Sequence, residues 1–244
     1  MEESGKMGNN YDFCSSVRFS FPWNSLKYKY ENKIQTSEFY FYQTLVDETS
    51  SLALALKLDY KLCEALSYVH GFAFCDYGKA GWKVIEKYLK DNEIDVSINQ
   101  IKTDIVKRKI KSVRKQPSDD FISYVEEMFS STVKTQEVML VNECYRILKT
   151  LQPLKNVDLK SFFEIEEKAI KELKENIINN DEYNVNLDKY ILSDIPKLED
   201  LLDKKTQEEL YDIILKEHKL FIEKYPNLSD YENLLAAISC FVDN

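Results

Sequence analysis

The stretch Leu62–Leu89, LCEALSYVHGFAFCDYGKAGWKVIEKYL, is the most informative part of the chain. It holds three of the five glycines, Gly71, Gly78 and Gly81, and no glycine follows it. Because glycine loses much conformational freedom on folding, this clustering predicts a turn that the backbone requires. Apolar residues before and after the turn recur at three- and four-residue spacings, which predicts that the turn joins two helices.

The rest of the chain predicts an all-α fold. Capping boxes at Thr206–Glu209 and Ser229–Glu232 predict the starts of two C-terminal helices. A further helix is expected to close at Pro153, and residues 179–186 are the best candidate for a linker. Only residues 17–21 alternate between apolar and polar, which indicates a short strand or an extended arm.

Composition restricts the class of protein. The 244 residues are 44% hydrophobic and carry a net charge of -9, with about +1 in residues 1–120 and about -10 in residues 121–244. This balance argues against general nucleic-acid binding. Five cysteines without CxxC spacing favour reduced thiols and a cytoplasmic protein. No apolar run of about 20 residues predicts a membrane span, and the polar N-terminus lacks a signal-peptide core.

The stretch Leu62–Leu89 resembles the HD-superfamily metal phosphohydrolases, most closely the deoxynucleotide (dGTP-type) triphosphohydrolases. In that branch an L-x-E-A helix leads into H-D-x-G-H, and a P-F-G-H-A-G-E turn opens the next helix. The segment 54–59 also resembles the family, and nothing after Leu89 does. The positions that match in register are Leu62, Glu64, Ala65, His70, Gly78, Ala80 and Gly81.

The resemblance implies an HD-like helical core. We expect this core at residues 24–153, preceded by a flexible N-terminal arm at residues 1–23. Residues 154–244 are expected to form a helical C-terminal region packed on the core.

The resemblance also implies that the metal chemistry is lost. In the family a divalent metal, held by histidines and aspartates, activates water. His70 is retained here, but residues 39–43 offer no histidine, and a single histidine cannot form such a site. We therefore expect no cofactor and treat His70 as a remnant ligand or as a buried, hydrogen-bonded histidine. The replacements for family residues are Gly71 for aspartate, Phe74 and Lys79 for histidines, and Trp82 for glutamate.

A phosphate site is a separate hypothesis. Gly78 and Lys79 stand at the start of a predicted helix, where free N–H groups and a lysine suit a phosphate. Lys107 and Arg108 belong to the basic run 102–115, which could bind nucleotide phosphates, nucleic acid or an acidic partner. The structural alternatives are a turn that serves only packing and a helix face that is solvated or docked on the acidic C-terminal half.

The leading functional prediction is a catalytically inactive HD-domain protein. It would bind a nucleotide, a partner protein such as an active HD enzyme, or a second copy of itself as a homo-oligomer; no nucleic-acid or membrane partner is expected. One alternative is an active nucleotide phosphohydrolase with a divalent metal site remodelled around His70, Cys75 and Asp76. Another is a purely structural or interaction module. The carboxylate pairs Glu126–Glu127 and Glu166–Glu167 are interpreted as ordinary helix surface.

Overall fold

The protein is all-α, as the sequence predicts. A computed structural model describes residues 12–14, 17, 35–73, 78–190 and 204–242, with residues 35–40, 78–80, 153, 155–157 and 204 described by their backbone alone. Over these ranges the regular elements are helices, and none of them is both long and apolar enough to cross a bilayer. The helices are α1 (Gln35–Leu56), α2 (Tyr60–Phe72), α3 (Gly78–Asp91), α4 (Ile98–Ser112), α5 (Phe121–Met128), α6 (Gln136–Val157), α7 (Leu159–Asn180), a 3-10 turn (Leu187–Lys189), α8 (Lys204–Lys224) and α9 (Asp230–Val242).

The chain forms two compact units, each built from two separate stretches. Unit 1 comprises Met1–Gly71 and Lys111–Lys197, and unit 2 comprises Phe72–Ile110 and Leu198–Asn244. This division differs from the sequence-based boundaries, because α3 and α4 pack with the C-terminal helices α8 and α9. Pro153, where a boundary was expected, lies inside α6. The φ of proline is compatible with a helix, and its missing N–H costs one helical hydrogen bond, so the helix continues through Pro153 without that bond.

Unit 1 buries part of the predicted N-terminal arm. Phe13, Cys14 and Val17 are buried, and the ring of Phe13 lies 5.3 Å from that of Phe121. These residues are therefore packed rather than free, because their apolar side chains gain from leaving water. Val17 is helical, which excludes a strand at that position, while the rest of the alternating segment lies outside the described ranges.

A buried carboxylate fastens the expected linker to unit 1. Glu143 on α6 is 7% exposed, and its Oε1 accepts the N–H of Val185 at 2.8 Å. Arg146 donates twice to Glu143, at 2.6 and 2.7 Å, and once to the carbonyl of Val185 at 2.5 Å. The linker prediction for residues 179–186 is wrong, since this segment stays within one unit and is held by an ion pair and backbone hydrogen bonds.

Unit 2 has its own core, built by α3, α4, α8 and α9. The capping box at Ser229–Glu232 is confirmed: the Ser229 N–H donates to Glu232 Oε2 at 2.9 Å, and the Glu232 N–H donates to Ser229 Oγ at 3.2 Å. The prediction that a capping box at Thr206 opens the other helix is wrong, because α8 already begins at Lys204. The buried members of this core are Val84, Ile85, Tyr88, Leu89, Ile101, Ile105, Leu210, Ile214, Leu234, Leu235, Ile238, Phe241 and Val242.

Candidate functional site

His70, the remnant ligand of the resemblance, lies in an aromatic pocket of unit 1. It is 9% exposed, and its ring stacks on Tyr145 with centroids 4.3 Å apart and planes 7° apart. The ring of Phe129 lies edge-on to the imidazole, with centroids 6.0 Å apart. The ring of Phe41 lies edge-on to that of Tyr145, with centroids 5.6 Å apart. The pocket is therefore lined by rings that pack against the imidazole.

An asparagine fixes the imidazole within this pocket. Asn142 Oδ1 lies 3.1 Å from His70 Nε2, and Asn142 Nδ2 donates to the carbonyl of Met128 at 3.2 Å. Since the amide nitrogen is already oriented towards Met128, the amide oxygen faces His70 and accepts its Nε2–H. In this arrangement Nε2 carries a proton and cannot ligate a metal. The hydrogen bond matches the structural alternative for His70, with a side-chain carbonyl as the acceptor.

Ligands for a metal are the second requirement of a remodelled site. Within the described part of the chain, no three His, Cys, Asp or Glu side chains come together as metal ligands. Cys75 and Asp76, which the remodelled-site alternative requires, lie outside that part.

The predicted phosphate-binding helix start is present at the level of the backbone. α3 begins at Gly78, so Lys79 falls in its first turn, where N–H groups have no partner within the helix. The Lys79 side chain is outside the described set, and Gly81 is buried. The backbone thus has the expected form, while the position of the lysine ammonium relative to it remains a prediction.

The two other predicted phosphate ligands, Lys107 and Arg108 of α4, have acidic neighbours. Lys107 Nζ lies 4.0 Å from Asp104 Oδ1, and Asp104 also accepts from the Tyr231 hydroxyl at 2.5 Å. Burial and this carboxylate raise the pKa of Tyr231, while Arg108 lowers it. Arg108 is exposed. The hydrogen bonds from Ser229 lower the pKa of Glu232 most, and the charge of Arg108 lowers it further. Both cations therefore lie among carboxylates that compete with any bound phosphate.

Two further lysines of the basic run make contacts inside unit 2. Lys109 Nζ donates to the carbonyl of Phe72 at 2.9 Å. Lys102 Nζ lies 4.9 Å from the centre of the Trp82 ring, a distance at which a cation is attracted to the ring face. These two lysines therefore contact residues that precede the basic run, whereas the structural alternative expected a face that is solvated or docked on the acidic C-terminal half.

Comparisons of the chain with protein-family models, curated proteins and solved structures find no match. The HD resemblance therefore depends on the residues quoted from the sequence alone.

Sequence reasoning identified His70 but missed the residues that hold it. Asn142 and Tyr145 lie on α6 beside its apolar pattern, far along the chain from α2. The available signal was an asparagine between Leu140 and Cys144, two apolar positions of the helix pattern, which indicates an amide close to the core that gains from a partner. That signal does not say which residue the partner is.

Proposed function

We propose that this protein acts by binding a partner protein, as a catalytically inactive relative of the HD phosphohydrolases. The observation that carries the proposal is the engagement of His70, whose Nε2 is paired with Asn142 and whose ring stacks on Tyr145. A metal-binding histidine presents the lone pair of one ring nitrogen to the metal; here Nε2 is used as a donor, only Nδ1 keeps a lone pair, and no three ligating side chains come together in the described residues. The replacement of the other motif residues supports the same conclusion.

A protein is favoured over a nucleotide as the bound partner. The predicted phosphate ligands Lys107 and Arg108 lie beside carboxylates, which weaken the attraction for a phosphate. Large apolar side chains are exposed on both units, and such side chains supply binding energy when a partner covers them. Those at least 40% exposed are Leu54, Leu159, Phe163, Ile178, Ile213, Leu220, Ile222, Tyr225 and Leu228.

Nucleotide binding is the second candidate, favoured by the start of α3 at Gly78 with Lys79 in its first turn. A thermal-shift series with deoxynucleoside and ribonucleoside triphosphates tests this candidate. A stabilisation that disappears in Lys79→Ala but persists in Lys83→Ala, an exposed lysine one turn further along α3, would support it. Absence of any shift would leave protein binding as the role to pursue.

The decisive test of the leading proposal combines elemental analysis with phosphate release from the same nucleotides. We expect neither stoichiometric metal nor turnover. Bound metal together with turnover that is lost in His70→Ala would overturn the proposal and establish an active phosphohydrolase with a remodelled site. Asn142→Leu is a useful companion variant, because it removes the partner of His70 without removing the imidazole.

A further inference from the structure

We draw no further inference here: the strongest candidate, the outward face of α8 in unit 2 with its exposed side chains Ile213 and Leu220, carries none, because nothing in the described part of the structure shows what covers it.

Discussion

The imidazole of His70 lies parallel to the ring of Tyr145, 4.3 Å away, while its Nε2–H is accepted by Asn142. A stacking contact and a hydrogen bond from α6 thus help to hold the histidine. In the family that the sequence resembles, a histidine at this position would face a metal.

The His70–Asn142 pair is expected to stabilise unit 1. His70→Ala leaves the half-buried Asn142 oxygen without its donor and removes the stacked ring, so the free energy of unfolding should fall by about 2–3 kcal/mol. Urea denaturation followed by circular dichroism measures this change.

A double-mutant cycle separates the hydrogen bond from other effects of the His70 substitution. His70→Ala, Asn142→Ala and the double variant should show a coupling of about 1 kcal/mol. Additive effects, within about 0.3 kcal/mol, would mean that the two side chains act independently.

Glu143 should be required to hold the segment that follows α7. Glu143→Gln removes the charge that pairs with Arg146 and weakens acceptance of the Val185 N–H, so we expect a loss of about 2 kcal/mol in the free energy of unfolding. Hydrogen exchange at the Val185 amide should accelerate more than exchange in α9. The control is Glu175→Gln, which removes a carboxylate that is 59% exposed and should change stability by less than about 0.5 kcal/mol.

His218 should make unit 2 less stable at acidic pH. Its Nδ1 lies 2.8 Å from the Tyr88 hydroxyl, and burial lowers its pKa below the ordinary 6.5 although Asp230 acts in the opposite direction. Because the unfolded chain takes up this proton at a higher pH than the folded chain, stability is complete above about pH 7 and falls as the pH drops through 6.5.

The measurement for His218 is the urea midpoint between pH 8 and pH 5.5. His218→Gln should flatten the decline over this interval. The chain has only two histidines, so His70→Gln serves as the matched comparison. A decline of the same size in the protein with His218→Gln would assign the pH dependence to other groups.

Three buried cysteines should be unreactive in the folded protein. Burial raises the pKa of the Cys14, Cys63 and Cys144 thiols, so very little thiolate is present at pH 8. Maleimide labelling followed by peptide mass spectrometry should leave these three unmodified in buffer and modified in 8 M urea. Rapid labelling of Cys63 under native conditions would show that α2 opens locally.

The helices could be predicted from the sequence because their signals are local. The apolar face of α3 and the Ser229 capping box depend on residues three or four positions apart, and both predictions are confirmed. The basic run 102–115, interpreted as part of a helix face, lies mostly in α4, whose bounds are Ile98–Ser112.

Contacts between distant residues could not be predicted, since the sequence gives no register between helices. Glu127 was interpreted as helix surface, yet its Oε1 accepts the N–H of Thr135 at 2.6 Å. Burial alone would raise the pKa of Glu127, and hydrogen bonds from Thr135 and Lys134 lower it overall. Glu166, also interpreted as surface, is only 7% exposed. Neither carboxylate differs in its local sequence from a solvated one.

Unit 2 is built from two stretches that are far apart in the chain, and this affects its folding during synthesis on the ribosome. The apolar faces of α3 and α4 are made early, but the residues that cover them in α8 and α9 are translated only after most of unit 1. Domains fold as units while the chain emerges, so unit 2 must wait until α9 has left the exit tunnel. During that interval the nascent chain exposes Val84, Ile85 and Ile105 to the solvent and to any chaperone that binds apolar segments.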